Sequence, residues 1–274
     1  MVNLPSIAIL GTGSMGGAIL SGLLAPGVTV DGSIRVTNRS ERKAAALRSP
    51  SVTSLAIEKD RGANVAAVAG ARIVLVAVKP HMVPDLLREI SGAIDPGSIV
   101  VSVAAGVRID TMQAIVDVPV LRAMPNTPAT VGRAVTGVSA GDRASAADVA
   151  VVTALFGTVG SVLEVPESRI DALSAISGSG PAYVFLLIEE LERTAFKLGF
   201  TRQESRVMVE NTFLGASELL AASGETPAEL RRRVTSPKGT TERAIEVLEE
   251  AGLSALFDRA TDAAIARAKE LAAS

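Results

Sequence analysis

A glycine-rich turn at residues 11–16, GTGSMG, is the first stretch whose residue types and spacing suit a chemical task. An apolar run at residues 7–10 precedes it and an amphipathic helical pattern follows, which predicts a strand, a turn and a helix. In that setting Gly11 permits a tight turn, Gly13 permits close approach of a pyrophosphate, and Gly16 permits packing of the helix on the strand. The free N–H groups of the helix N-terminus would face the phosphates, so the turn predicts a dinucleotide site.

The second strand is predicted over residues 33–37, and the three residues that follow it bear on the choice of dinucleotide. A protein that uses NAD usually has Asp or Glu there to bind the ribose 2′-hydroxyl. This sequence has Asn38, Arg39 and Ser40 instead, which suit a 2′-phosphate. The pattern predicts NADP(H) as the preferred cofactor and leaves NAD(H) open as a second one. The alternative is that Arg39 only begins a solvated helix with the charged residues that follow it.

The ends of two further predicted strands, residues 72–78 and 98–103, belong to the same crevice. Ligands of open α/β sheets bind beyond the carboxyl ends of parallel strands, so residues 77–79 are expected to line it. The small side chains of residues 104–106 would let a flat ring lie close to the backbone. His81 follows the first of these strands, and we predict that it lies beside the site at a helix entry rather than acting as a proton donor.

Another strand, predicted over residues 118–123, leads into a loop bracketed by two prolines, MPNTP at residues 124–128. The prolines fix Asn126 at the end of that strand. Its side chain is suited either to holding a carboxamide or to closing an Asx-turn, and the sequence leaves both open.

The second half of the chain has one stretch suited to anion binding, VTSPKGTTE at residues 234–242. Gly239 as N-cap, with Glu242 three residues later, predicts a capping box and places Thr240 and Thr241 in the first helical turn. The free N–H groups of that turn suit a carboxylate, and two hydroxyls lie beside them. Taken alone, the pattern favours an ordinary helix cap.

Composition excludes several kinds of chemistry. The 274 residues include no cysteine, which rules out thiolate nucleophiles, disulfides and cysteine-ligated metals. With a single histidine, a Ser-His-Asp hydrolase or a histidine-ligated metal site would depend on that residue alone, and we expect no metal. The net charge of −2 argues against a nucleic-acid partner. The purest apolar run is far too short to cross a bilayer and the N-terminus lacks signal-type features, so we expect a cytoplasmic protein with no membrane partner.

The order of the predicted elements gives the fold class. Strands and helices alternate through residue 165, which predicts an α/β doubly wound sheet, whereas only helices are predicted from Pro166 onwards. Residues 177–181, SGSGP, are expected to break the chain before a helix that ends at Leu198, and another helix covers about residues 202–222.

The helix that begins after this break is apolar on all sides over residues 183–188, YVFLLI. Such a helix must be buried on every side, and a second subunit is the most economical cover. The sequence therefore predicts a homo-oligomer.

Taken together, these segments closely resemble the pyrroline-5-carboxylate reductase family over nearly the whole chain. The resemblance is carried by six motifs: GTGSMG at 11–16, AVKP at 77–80, VAAG at 103–106, MPNTP at 124–128, SGSGPAY at 177–183 and VTSPKGTT at 234–241. The last two are highly specific, whereas many dehydrogenases share the first. One departure is Lys238, where the family more often has glycine. This lysine adds positive charge, and the backbone of its loop must adopt a conformation that a residue with a side chain can take.

The resemblance implies NAD(P)H-dependent reduction of 1-pyrroline-5-carboxylate to L-proline, the last step of proline biosynthesis, by hydride transfer to the imine carbon. It implies an NADP-binding Rossmann domain, residues 1–165, and a helical dimerisation and substrate-binding domain, residues 166–274. It also implies an intertwined homodimer, often assembled into a pentamer of dimers.

Carried over residue by residue, the resemblance also implies two sets of site residues. The cofactor residues are Gly11, Thr12, Gly13, Ser14, Met15, Gly16, Asn38, Arg39, Ser40, Asn64, Ala77, Val78, Lys79, Pro80, Val103, Ala104 and Ala105. The substrate residues are Glu167, Ser236, Gly239, Thr240 and Thr241, some of them reaching a partner subunit's site. We predict that Thr241 is the catalytic residue, because its hydroxyl would bond the ring nitrogen and orient the imine. A protonated imine is already electrophilic, so this reaction requires no metal, thiol or histidine.

Three other functions share part of this pattern. A 3-hydroxyacid dehydrogenase would need a lysine from the second domain, and only Lys238 lies near the predicted anion site. A reductase of another cyclic imino acid, such as the six-membered homologue, would use the same motifs. A non-catalytic NADP-binding regulator would have no use for the anion loop.

Overall fold

The computed structural model describes residues 1–273, and the side chains of residues 1–270. Contacts divide the chain into two compact units. The first is Met1–Ser179 together with the end of the chain from Ala264, and the second is Gly180–Ala263. Residues 166–179, which the sequence assigns to the helical half, group by their contacts with the first unit.

The first unit is built on a sheet of eight strands in the order β10-β9-β8-β7-β6-β2-β4-β5. The six neighbouring strands β8, β7, β6, β2, β4 and β5 are parallel to one another, and β9 runs antiparallel to β8. The short strands β1 and β3 form a separate parallel pair. The strands are Val2–Leu4 (β1), Ile7–Leu10 (β2), Val28–Val30 (β3), Ile34–Asn38 (β4), Val52–Ala56 (β5), Ile73–Val76 (β6), Ile99–Ser102 (β7), Val120–Met124 (β8), Ala134–Ala140 (β9) and Gly160–Glu164 (β10).

The central strands are apolar on both faces because the sheet is covered on both sides. In β6, Ile73 and Leu75 belong to one core cluster, whereas Val74 and Val76 belong to the other. All four are fully buried. The doubly wound sheet predicted from the sequence is confirmed, with strand ends within two residues of the predicted ones, although β1, β3 and β5 were missed.

Helices flank this sheet. In the first unit they are Ser14–Leu23 (α1), Glu41–Leu47 (α2), Ala63–Val68 (α3), Val83–Ile90 (α4), Ile109–Gln113 (α5), Ala146–Gly157 (α6) and Ile170–Leu173 (α7). Helix α6 begins with a capping box, in which Ser145 and Asp148 exchange hydrogen bonds. Short 3-10 turns occupy Pro80–Met82, Ser91–Ala93, Thr127–Val131 and Glu167–Arg169.

From Pro166 to residue 273 the chain contains helices and connecting turns but no strand, as predicted. Its helices from residue 180 onwards are Gly180–Lys197 (α8), Arg202–Ser223 (α9), Pro227–Arg233 (α10), Thr240–Glu250 (α11) and Leu253–Ala273 (α12). Gly199 and Gly224 follow α8 and α9 with φ of 100° and 68°, the left-handed conformation expected after a helix end.

The apolar side chains of α8 are exposed within the single chain. Phe185 is 64% exposed and Leu186 is 54% exposed. The continuous helical stretch of residues 167–197 is, among the described residues, the one segment long and apolar enough to cross a bilayer, judged by length and composition alone. Exposed apolar surface on this scale needs a cover.

The predicted break at residues 177–181 is a π-helical turn, Ser174–Gly178, followed by the turn residue Ser179, and α8 begins at Gly180. Pro181 has no N–H, so the carbonyl of Ser177 lacks its usual partner four residues later. The Asn126 side chain replaces that partner, since its Nδ2 donates to the Ser177 carbonyl at 2.9 Å. Asn126 Oδ1 also accepts the N–H of Val135 at 2.9 Å. Asn126 therefore joins the helix to β9, and the Asx-turn considered from the sequence is not formed.

Replacing Asn126 by alanine is expected to lower the free energy of unfolding by about 2 kcal/mol, because two part-buried backbone groups lose their partners. Urea denaturation followed by circular dichroism measures this loss. Asn3→Ala, at an exposed position of β1, is the matched control and should cost less than about 0.5 kcal/mol. Equal losses for the two variants would contradict the role assigned to Asn126.

Candidate functional site

A cavity of about 800 Å³, here called the cofactor cavity, lies where β2, β4, β6 and β7 end. Most of the predicted cofactor residues line it: Gly11, Thr12, Gly13, Ser14, Met15, Asn38, Arg39, Asn64, Ala77, Val78, Lys79 and Val103. Five others do not line it: Gly16, Ser40, Pro80, Ala104 and Ala105. The structure thus brings the glycine turn and four strand ends together around one space, as expected for a parallel sheet.

The backbone of the glycine turn explains two of its glycines. Gly11 has φ of 93°, and an added Cβ there would lie 2.9 Å from the Ala77 carbonyl oxygen. An added Cβ on Gly16 would lie 2.2 Å from the Gly11 carbonyl oxygen, which is closer than any side chain can approach. At Gly13, the N-cap of α1, the same position faces open space. Gly11 and Gly16 therefore allow the turn to close on itself, while Gly13 leaves its surface accessible.

The end of β4 combines a buried amide with an exposed cation. Asn38 is buried, and its Oδ1 accepts a hydrogen bond from the Thr12 hydroxyl. Arg39 is exposed and lines the cofactor cavity. The nearby acid Glu41 pairs with Arg48 at 2.6 Å instead of neutralising Arg39. This end of the cavity therefore presents a guanidinium that is suited to an anion.

Sequence reasoning missed Lys43 as a residue of this cavity. Arg39 precedes Ser40, the N-cap of α2, and Lys43 lies in the first turn of that helix, so the two cations line the cavity from either side of the helix start. Asp85 and Glu89 of α4 were also missed, and Glu89 accepts hydrogen bonds from Asn64 Nδ2 at 3.1 and 3.3 Å.

A second cavity of about 970 Å³ lies in the first unit beside the segment that follows β7. Its lining includes Pro80, Ala105, Gly106, Arg108, Arg122, Met124, Asp171, Ser179 and Arg267. His81 lines both cavities and lies in the Pro80–Met82 turn that enters α4, the position predicted for it. Two of the predicted cofactor residues, Pro80 and Ala105, thus face this second cavity.

Glu167, predicted to bind substrate, already has two partners in the first unit. Its Oε1 accepts the N–H of Ile109 at 2.8 Å and lies 3.3 Å from Nη1 of Arg122. Arg122 also bonds Asp171 through Nη2 at 3.1 Å. Sequence reasoning missed Arg122, because a single arginine within an apolar strand carries no local signal of its partners.

The predicted anion site lies in the second unit, at the start of α11. Gly239 is the N-cap, as predicted, and Thr240 and Thr241 are the first two residues of the helix. Their N–H groups have no acceptor within the helix because they belong to its first turn. The predicted capping box is wrong: Glu242 accepts the N–H of Lys238 at 2.8 Å, while Gly239 donates to the Ser236 carbonyl at 2.9 Å. The chain turns too tightly at Gly239 for its N–H to reach Glu242.

Lys238 has φ of 62°, and among the described residues no other non-glycine residue has a positive φ. The left-handed conformation strains a residue with a Cβ. We expect Lys238→Gly to raise the free energy of unfolding by about 0.5–1 kcal/mol, the strain relieved less the added freedom of the unfolded chain. Lys238→Ala is the control, because it removes the charge and keeps the Cβ. A gain of the same size for alanine in chemical denaturation would show that charge, and not backbone strain, is responsible.

Two regions of the chain match known protein families. Residues 6–106 match the family described as NADP oxidoreductase, coenzyme F420-dependent, and residues 167–271 match pyrroline-5-carboxylate reductase dimerisation. The first match spans the glycine turn and the ends of β4 and β6. The chain therefore binds a nicotinamide dinucleotide and forms oligomers.

Individual relatives resemble the chain over nearly its full length. A pyrroline-5-carboxylate reductase of Corynebacterium melassecola is 41% identical over 97% of this chain and 98% of its own. One from Pseudomonas aeruginosa is 38% identical over 98% and 97% of the two chains. The solved structure of the Coxiella burnetii pyrroline-5-carboxylate reductase superposes with a TM-score of 0.89 at 36% identity, covering 97% of this chain and 98% of that one. By motifs, fold and full-length similarity, this chain belongs to the pyrroline-5-carboxylate reductase family.

Proposed function

We propose that this chain reduces 1-pyrroline-5-carboxylate to L-proline with NADPH, the last step of proline biosynthesis. The observation that carries the proposal is the 41% identity to a pyrroline-5-carboxylate reductase over 97% of the chain, which spans the cofactor cavity and the loop before α11. No observation favours a different cyclic imino acid, a 3-hydroxyacid or a purely regulatory role. The reaction is an oxidation–reduction at a C–N bond.

The cofactor cavity fits a nicotinamide dinucleotide on its own geometry. An added Cβ on Gly13, the N-cap of α1, would meet open space, and the first N–H groups of that helix, which have no acceptor within it, would bind the pyrophosphate. Arg39 and Lys43 would bind the 2′-phosphate of NADP(H), which supports NADP(H) over NAD(H). The bound nicotinamide supplies the hydride. The chain supplies the orientation of that ring through the strand ends that include Ala77 and Val103.

The substrate carboxylate is proposed to bind the N–H groups of Gly239, Thr240 and Thr241 at the start of α11. The partial positive charge of the helix N-terminus stabilises an anion there. The Thr241 hydroxyl is proposed to bond the ring nitrogen, and Ser236 and Glu167 are also proposed to bind substrate, some of these residues in the site of a partner subunit. An unperturbed hydroxyl is a poor acid, so the role given to Thr241 is to position the imine.

One assay distinguishes this function from its alternatives. NADPH oxidation is followed with pyrroline-5-carboxylate, with the six-membered imine and with a 3-hydroxyacid semialdehyde, at equal concentrations. The largest kcat/KM should belong to pyrroline-5-carboxylate. A larger kcat/KM for either of the others would reassign the substrate, and no oxidation with any of them would favour a regulator.

Replacing Thr241 by alanine is expected to lower kcat/KM for the imine about tenfold, the value of one hydrogen bond to a charged group. Thr241→Ser keeps the hydroxyl and should retain activity within about threefold. Steady-state kinetics of both variants at saturating NADPH make the comparison. Unchanged kcat/KM in the alanine variant would remove Thr241 from the mechanism.

The second unit is proposed to form a homodimer that assembles further into a pentamer of dimers. Its exposed apolar residues on α8, including Phe185 and Leu186, lie within the region that matches the dimerisation family. A subunit interface would cover them, and this reading of residues 167–197 is preferred to a membrane span because relatives of the same family match across the helix. Light scattering should give a mass of at least two chains.

We also propose that the protein is located in the cytoplasm.

A further inference from the structure

Arg122 is a buried cation to which the proposed function assigns no role. It lies on β8 and is 4% exposed. Its guanidinium pairs with Glu167 at 3.3 Å and with Asp171 at 3.1 Å, across 45 and 49 residues of sequence. Removing such charges from water costs about as much as their attraction returns, so stability alone is a weak reason for the network.

Glu167, held in place by Arg122, also contacts a third element, the helix α5. The same Oε1 that faces Arg122 accepts the N–H of Ile109 at 2.8 Å. Ile109 is the first residue of α5, and the N-cap Arg108 forms no side-chain cap. Because the first N–H groups of a helix lack partners within it, Glu167 serves as the cap of α5 from 58 residues away.

The helix start held by Glu167 ends the segment of residues 103–108, which connects β7 to α5. The other end of this segment is fixed to β6, since the Val103 N–H donates to the Val76 carbonyl at 3.0 Å. Between the two ends Gly106 has φ of 78°. Val103 lines the cofactor cavity, and Gly106 lines the second cavity. The position of this segment thus depends on both anchors.

We propose that Arg122 is a positioning residue for cofactor binding. By holding Glu167 against the Ile109 N–H, Arg122 fixes residues 103–108. This segment reaches the cofactor cavity through Val103, at the end where the nicotinamide half of the dinucleotide would lie. A segment fixed in advance loses less conformational freedom when the ligand binds, and that difference appears as affinity. The inference rests on the proposed function only for the identity of the dinucleotide.

Arg122→Lys tests the proposal, because one ammonium keeps the charge and cannot fork to both carboxylates. The Kd for NADPH, measured by fluorescence titration, is expected to rise about tenfold. The Kd for 2′,5′-ADP, which lacks the nicotinamide half, is expected to stay within about twofold. If both constants change equally, or neither changes while Tm falls, Arg122 has only a structural role and the proposal is overturned.

Two substitutions of Glu167 keep the test decisive where Arg122→Lys does not fold. Glu167→Gln retains a carbonyl oxygen that can accept the Ile109 N–H, whereas Glu167→Ala does not. Glu167→Ala should raise the Kd for NADPH about tenfold and leave the Kd for 2′,5′-ADP nearly unchanged, whereas Glu167→Gln should raise the Kd for NADPH less than about threefold. Equal effects of the two would overturn the proposal.

The matched control is Arg143→Lys, at a surface arginine that pairs with Asp117 at 3.3 Å. Its Kd values should match the wild type, and a selective loss of NADPH binding in this control would also count against the proposal. These titrations contain no imine. A wild-type protein that binds NADPH but fails to reduce pyrroline-5-carboxylate would therefore overturn the proposed function and leave the role of Arg122 intact.

Discussion

Replacing Gly16 by alanine is expected to cost about 3 kcal/mol of unfolding free energy and about 100-fold in dinucleotide affinity. The added Cβ would lie 2.2 Å from the Gly11 carbonyl oxygen and 3.2 Å from Ala77 Cβ. The first neighbour is backbone within a tight turn, so it cannot move aside as a flexible side chain would. Helix α1 must therefore shift away from the turn, and its N–H groups leave the position from which they would bind phosphate.

Gly17→Ala is the matched control, one residue further along α1. Its added Cβ would have no neighbour closer than the Thr12 carbonyl oxygen at 4.0 Å. Because alanine is the better helix former by about 1 kcal/mol, this variant should be as stable as the wild type or more stable. Denaturation curves and NADPH titrations of the two variants make the comparison. Similar losses in both would mean that helix composition, and not the contact with Gly11, explains the glycine.

Replacing Arg39 by aspartate is expected to raise the KM for NADPH about 100-fold and to leave the KM for NADH unchanged or lower. The substitution removes a cation from the cofactor cavity and places a carboxylate where the 2′-phosphate would bind. An aspartate at this position can instead accept hydrogen bonds from the two ribose hydroxyls of NADH. Steady-state kinetics with each cofactor, at a fixed imine concentration, measure the change.

Arg42→Asp makes the same change of charge on α2, at an exposed residue outside the cavity lining. Screening by salt limits its effect on the KM for NADPH to about twofold. If Arg39→Asp behaved like Arg42→Asp, Arg39 would be an ordinary solvated residue. Cofactor preference would then have to come from another residue of the cavity, with Lys43 the first to examine.

The local patterns of the sequence predicted much of the first unit. Fully apolar runs predicted the central strands, because a parallel sheet buries both of its faces. The spacing of Gly11 and Gly16 predicted the turn, since both positions exclude a Cβ in the structure. Short strands such as β3 were missed because three residues are too few to show a period.

The predictions that failed were those in which a local signal was overridden by a distant group. Pro181 lies in the first turn of α8, as predicted, but the residues before it form a π-helical turn whose Ser177 carbonyl is bonded by the distant Asn126. Glu242 has the spacing of a capping box, and it bonds Lys238 instead because the preceding turn is tighter.

The sequence by itself determined the elements, the glycine turn and the absence of thiol chemistry, because backbone torsion and periodic burial are properties of neighbouring residues. Only the tertiary structure decided which polar groups meet. Arg122 reaches Glu167 and Asp171 across 45 and 49 residues, and β9 pairs antiparallel to β8 within a sheet whose six other pairs of neighbouring strands are parallel. Such pairs depend on how strands are ordered in the sheet and on which buried groups would otherwise lack a partner, and no local pattern records either one.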